Sequence, residues 1–463
     1  MNRIKNYLAI AIAVAGFGFS SCSNDDDDNT VEQTTVDVTN TELKAVLQQK
    51  GFNFNAEGKL IQDDKVKSAT TLDLSNCNLT DVSGLEVFPN LTDVNLSNNK
   101  FTTSFDFSKL PASVTGVDLT GNEIYEYKGL VNVETAENGN ETVTVLHPLA
   151  KLYLPKEAKY DCNELVYFYE NNKDVDMKMI DSSENLIAYN TLREVIDDDA
   201  RTQLKELFPD FFEGEYINIA KRVVDATEKT RSLTVKASNV EGFEYILFHR
   251  DYRGSYIEIN DTDETPTLLP FCKIKSLVSS FDISNIDTSN GIDFSNAENI
   301  VKLAISKNPS IEIIDITNSK LMGQREINIE YNTLAYASSI VLQQCSKLKT
   351  LLLPEKMVKL STLNLIDLPI FEDIDLSKFE AMSVLRLALL PKTKITYFSP
   401  QYYLYGNKVD NEKGKIKIGI SQDIYDKKET QDFLKEYHKK CSFTSLFLDG
   451  KAIAYHWELN YSN

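Results

Sequence analysis

Histidine, tryptophan, glycine and proline are all scarce in these 463 residues, at four, one, 18 and 12 respectively. The four histidines, His147, His249, His438 and His456, lie too far apart for the close spacings of zinc sites, and none forms a His-Glu-x-x-His pair. The P-loop, Gly-x-Ser-x-Gly and dinucleotide fingerprints are missing too, which removes the commonest enzyme classes and leaves no cofactor or metal to expect. Low Gly and Pro with 42% hydrophobic residues exclude a disordered or collagen-like chain. Basic residues are outnumbered 49 to 69, a formal charge of −20 that repels phosphate backbones, so nucleic acid is not an expected partner. A carboxylate pair suited to glycoside cleavage could hide among so many acids, but no pattern nominates one, and Asp197-Asp198-Asp199 reads as a solvated helix face. No catalytic residue is assigned.

What the chain does have is a phrase that returns. Leu72-Asp-Leu74-Ser-Asn-Cys77, Val94-Asn-Leu96-Ser-Asn-Asn99 and Val117-Asp-Leu119-Thr-Gly-Asn122 share one pattern at separations of 22 and 23 residues. The apolar pair in each phrase alternates as in a short strand, so Leu72 and Leu74 face one side while Asp73 faces the other. One such unit cannot bury its apolar side alone; stacked units can, with their strands in a parallel ladder. Asn99 and Asn122 then fall in the bend, where a side-chain amide can pair with backbone groups that water cannot reach. Cys77 and Cys345 fit the same slot as small packed thiols, and with Cys162, Cys272 and Cys441 they form an odd, scattered set rather than a disulfide framework. The phrase resembles the leucine-rich repeat. That resemblance implies an α/β fold: a solenoid of parallel short strands, with an irregular, helical central insert and capping elements at both ends.

The chain begins with Arg3 and Lys5, an apolar run from Tyr7 to Phe19, and Ser20-Ser21-Cys22. A basic start, a short apolar core and small residues describe a secretory signal, and the run is too short to span a bilayer. The residues before Cys22 resemble the lipobox of bacterial lipoproteins, which implies cleavage there and acylation of Cys22. Removing the signal takes two cations with it, so the mature chain would carry −22. The run Asp25 to Asp28 cannot fold against itself, and it resembles the acidic surface-export signal of Bacteroidetes lipoproteins. Location on the outer membrane, lipid-anchored and facing outward, is therefore expected, on a tether from Ser23 to Thr39 that could reach roughly 50 Å.

We divide the chain into a signal peptide (1–21), an acidic tether (22–40), an N-terminal cap (41–67), a first repeat array (68–159), a helical and mixed insert (160–290), a second array (291–400) and a C-terminal cap (401–463). Thr41 to Lys50 reads as a helix closed by Gly51, and Asn53 to Asp64 as a degenerate calcium-like loop better explained as a cap turn. In the insert, Leu192 to Phe208 reads as an amphipathic helix, and Phe243–Phe248 and Tyr256–Ile259 as strands. Repeats return at Leu303, Ile314, Ile340, Leu351, Leu363, Ile374 and Leu385; from Ile340 they come at steps of 11 or 12, an apolar pair on each half of a turn. The tail reads strand, helix, strand, with Phe433, Leu434 and Tyr437 on the helix's apolar side.

Outward-facing strand residues are the candidate ligand contacts: Asp73, Asn95 and Asp118 in the first array, Asp315, Asn364, Asp375 and Arg386 in the second. Concave ladders are where leucine-rich repeat proteins usually bind, by resemblance; ordinary solvated positions are the plainer explanation. Tyr397-Phe398 with Tyr402, Tyr403 and Tyr405 could stack on a ligand but fit packing under the C-terminal cap better. The resemblance implies capture of an extracellular protein or glycan. An accessory subunit docked on an outer-membrane uptake partner, and a glycan-cleaving enzyme, stand as alternatives. Cys22→Ala should release the mature protein from the membrane fraction; full retention would refute lipidation.

Overall fold

The structure, a computed structural model, describes residues 34–223, 231–260, 264–289, 291–323, 338–355, 357–398, 416–440 and 443–452. Among them, two parallel ladders dominate. A six-stranded sheet runs Thr71–Asp73, Asp93–Asn95, Gly116–Asp118, Lys151–Leu154, Asp176–Ile180 and, antiparallel at the edge, Leu186–Ala188. A ten-stranded sheet starts at Ser232–Thr234 and ends with the antiparallel Lys451–Ala452.

Register follows the repeat. Leu72 pairs with Val94, Val94 with Val117, Val117 with Leu152, and Leu152 with Met177, so every second side chain joins one apolar column. Leu74, Leu96 and Leu119 form the next column; each donates its N–H to the following strand, to Asn95, Asp118 and Tyr153 oxygens at 2.8 Å. All three are fully buried. The second ladder repeats this with Leu233, Ile257, Phe281, Leu303, Ile340, Leu363, Leu385, Ile418 and Leu446 in register. Two hydrophobic cores result, one under each ladder, and they meet at the helix Glu164–Asn171.

The bends behave as their composition demands. In the first ladder Asn76, Asn98 and Gly121 take positive φ of 56°, 53° and 69°, the region Gly and Asn tolerate best. The next residue fills the slot. Asn122 Oδ1 accepts from Asn99 N at 3.1 Å and Phe101 N at 3.3 Å, while its Nδ2 donates to Leu96 O and Leu119 O. Asn99 does the same one turn earlier for Cys77, Leu79, Leu74 and Leu96. Each amide therefore ties its own turn to the previous one. Cys345 fills the slot in the second ladder with its Sγ toward Ile305 and Gln343 oxygens. Its thiol and those of Cys77, Cys162 and Cys272 are free; Cys22 and Cys441 lie outside the described residues.

Several expectations need correction. The segment 160–290 is only partly an insert: Asp176–Ile180 continues the first ladder, and Ser232–Thr234, Tyr256–Asn260 and Ser280–Ser284 open the second. The part outside both ladders holds a small antiparallel sheet around Tyr216–Asn218 and a helix whose Ala200 and Leu204 enter the second core. That helix spans Asp198–Leu207, not Leu192 to Phe208, because Asp197 caps it, accepting from Asp199 and Ala200 amides at 3.0 Å. The three aspartates are thus a cap and first turn, where negative charge suits the helix dipole. Phe243–Leu247 is helix, not strand; every residue in it is buried, which erases the periodicity that separates the two. The tail described here extends the ladder, since Ile416–Ile420 and Phe443–Leu448 pair in parallel.

Other readings hold. Thr41–Gln49 is a helix with Leu43, Val46 and Leu47 buried, capped by Asn40 and followed by Gly51 at φ 73°. The Asn53 to Asp64 oxygens close a turn: Asn55 Oδ1 accepts from Glu57 and Lys59 amides, and Asp63 caps the helix Asp64–Ser68. Tyr397 stacks on Phe433 at 4.2 Å and Phe398 is buried; Tyr402, Tyr403 and Tyr405 lie outside the described residues. Replacing Asn122 by Ala would strand two buried amides and two carbonyls, so Asn122→Ala should lower stability by about 2–4 kcal/mol, with Asn122→Cys recovering part of it. Chemical denaturation reads this, and a loss below about 0.5 kcal/mol would contradict it.

Candidate functional site

The outward faces of the ladders carry the candidates. Asp73, Asn95 and Asp118 do lie side by side in register, joined next by Tyr153 and Lys178. Each of the three first serves its own bend, since its Oδ1 accepts the N–H two residues on, from Ser75, Ser97 and Thr120, at 3.0 Å. The bond from the Ser75 amide holds the Asp73 carboxyl below the usual carboxylate range.

The better-organised part of this face is one the sequence reading passed over. Lys151 pairs with Gly116, which pairs with Asp93, and the Lys151 ammonium reaches across to Asp93 Oδ2 at 2.5 Å. Gly116 leaves room for this, because a Cβ there would push the Asp93 carboxylate aside. Tyr153 stands between Lys151 and Lys178, whose Nζ atoms lie 5.6 and 4.8 Å from its ring centre, within cation–π range. Its hydroxyl donates to Asp176 Oδ2 at 2.7 Å and accepts from Lys178 at 3.2 Å. That donation, with the Lys178 charge beside it, keeps the Asp176 carboxyl low. An aromatic ring fixed between paired charges on an open sheet face suits protein contact, where such anchors cost little entropy to hold.

In the second ladder the four candidates part company. Asn364 and Arg386 are register neighbours on the main sheet. Asp315 and Asp375 instead end Ile313–Asp315 and Asp373–Asp375, which pair in separate two-stranded sheets on the other half of each turn. The half-turn spacing that placed apolar pairs on both sides also placed these aspartates away from that face. Both close bends, accepting from Thr317 and Ser377 amides at 2.9 Å. Arg386 is exposed and, with Lys417, Gly419, Phe447 and Asp449, lines a cleft of about 480 Å³ at the end of the sheet. Lys417 sits 5.2 Å over the Phe447 ring.

Residues 70–110 match the family model for leucine-rich repeats, two copies. That stretch resembles two leucine-rich repeats. The matched span covers the strands at Leu72 and Val94 with the first asparagine corner. Among curated proteins, none matches the chain. Leucine-rich repeats generally serve as scaffolds for protein binding.

Near the place where the two ladders meet, two carboxyl groups are held at a cost in burial. Asp161 accepts from the Asn163, Leu165 and Tyr127 amides, yet burial pushes its carboxyl up to about 6. Glu244 Oε2 accepts from Gly242 at 2.9 Å while Oε1 has no partner, and burial pushes that carboxyl up to about 8. The folded chain therefore keeps a proton on Glu244 that the unfolded chain surrenders near 4.5, so this site's stability is present at low pH and is lost as pH rises toward about 8. Glu244→Gln should match the parent below pH 4.5 and gain on it above, by up to about 1.4 kcal/mol per pH unit, levelling off beyond pH 8. Melting temperature against pH measures the gap, and parallel curves would refute the assignment.

Proposed function

We propose that this chain is a lipid-anchored surface protein that captures an extracellular protein or glycan on the outer face of its first ladder. Each ladder is read as one stacked, curved solenoid, the curvature following from apolar columns on the inside of every turn. The observation that carries the reading is the Asp93, Lys151, Tyr153, Asp176 and Lys178 network, built around a glycine that has no other evident use.

Acylation of Cys22, export across the envelope and the acidic tether to residue 40 supply the location. They rest on the residues at the start of the chain and on their resemblance to surface lipoproteins. A mature body with a formal charge of −22 would stand off anionic surfaces while remaining open to a partner. The second ladder's cleft at Arg386 favours a second contact, such as a neighbouring envelope protein in an uptake complex. Of the described histidines, His147 Nε2 bonds the Val114 carbonyl at 2.9 Å, and His249 is buried against the Ile219 carbonyl.

The mature chain, printed against extracellular matrix proteins and soluble polysaccharides, should bind a subset of one class without product release. Tyr153→Ala should weaken that binding at least tenfold with the melting temperature little changed. Equal binding by parent and variant would move the site off this face.

A further inference from the structure

Where the ladders meet there is a second concavity, of about 610 Å³, whose lining comes from both. Thr103, Glu123, Tyr125, Glu157 and Tyr160 belong to the first ladder's side, and Glu241, Pro270 and Phe271 to the second's. Three rings form one wall: Tyr125 and Phe271 lie 4.8 Å apart and Phe271 stacks on Tyr160 at 4.5 Å. The wall is locked in place. Tyr125 donates its hydroxyl to Asp293 Oδ2 at 2.5 Å, across the junction.

The charges are unbalanced in one direction. Lys156 is taken by Glu184 at 3.0 Å, and Lys159 by Glu241. Glu123 and Glu157 form no direct ion pair among the described residues, although Lys156 and Lys159 stand near enough to offset part of the Glu157 charge. Glu157 is half-buried, and loss of water together with the Glu123 charge raises its carboxyl above the ordinary range in spite of Lys156 and Lys159. A carboxylate half-buried without a direct ion pair is costly, and an incoming cation would relieve the cost. Ile196, 56% exposed, sits at the rim and with Pro270 offers an apolar surface to an aliphatic stem. The volume lies within the range of ordinary ligand pockets, roughly 300–1,000 Å³.

We propose that this junction cleft receives a basic side chain, arginine or lysine, from a protein ligand, with Glu157 and Glu123 meeting the charge and the Tyr125, Phe271 and Tyr160 wall packing its stem. The inference rests on the protein-binding reading above and gives that ligand its chemistry. An arginine also matches a carboxylate in a bidentate manner and packs on aromatic faces, which the lining supplies together. A ligand gripped there would touch both ladders at once, bracing the junction as well as filling it.

Binding of a labelled hexa-arginine peptide to the mature chain, followed by fluorescence anisotropy, tests this, with a glucosamine hexamer as competitor class. Glu157→Gln should weaken peptide binding at least tenfold; because burial already disfavours the charge, the variant should fold. Ile196→Arg, made at an exposed position, should block the cleft with its own cation and abolish binding. Asp73→Asn, on the ladder face, should leave binding within twofold. An equal loss in all three variants would show general attraction to an acidic surface and overturn the proposal. So would binding that ignores Glu157→Gln, or binding of the glucosamine hexamer alone. Loss confined to Asp73→Asn would overturn the cleft while leaving the scaffold reading standing.

Discussion

Every turn of this chain must bend inside a dry stack, and a bend exposes backbone amides and carbonyls that no neighbouring strand can pair. At the left-handed corners at Asn98 and Gly121, the asparagine that follows resolves that conflict. Asn122 satisfies four groups on two turns, and Asn99 repeats the arrangement one turn earlier. An unpaired buried backbone group costs about as much as a lost hydrogen bond, so without these amides the columns of leucine would have to be assembled against a penalty at each level. Packing supplies the stability; the corner amides make that packing possible at a repeat of 22 or 23 residues.

From that constraint comes the geometry of both candidate binding regions. Parallel strands held in strict register present their outward residues as rows, which is how Lys151 can reach Asp93 across Gly116 and how Tyr153 comes to stand between two ammonium groups. Two separate cores, rather than one, create a junction, and the cleft lined by rings and carboxylates lies there. The groups there tolerate burial at an electrostatic cost: Asp161 is raised to about 6 and Glu244 to about 8, while burial brings Lys275 down to about 8 and His249 to about 4.

The strands with an apolar pair and an asparagine or cysteine corner were legible in the chain itself, as were the capping helix at Thr41 and the buried face of Phe433, Leu434 and Tyr437. Tyr256–Ile259 was legible as a strand, but that it joins Leu233 and Phe281 in the second ladder was not, because these turns run to 24 residues and lack the asparagine that marks the phrase. Phe243 to Leu247 misled for a different reason, being buried on all sides. Aligned outward residues could be nominated, but whether Asp315 and Asn364 share a face depends on which half of a turn each occupies, and only the pairing of strands decides that. The junction cleft draws on residues from Thr102 to Phe271, a separation no local pattern encodes.

Register is the claim on which the rest stands, and engineered cysteines read it directly. Asn95 and Asp118 are paired on neighbouring strands with side chains on one face, so Asn95→Cys with Asp118→Cys should oxidise to a disulfide found in peptide mass spectra. Asn95→Cys with Val117→Cys, whose side chains point to opposite faces, should remain reduced. Crosslinking of the second pair and not the first would mean that the strands slip by one residue, and that the apolar columns described here do not exist.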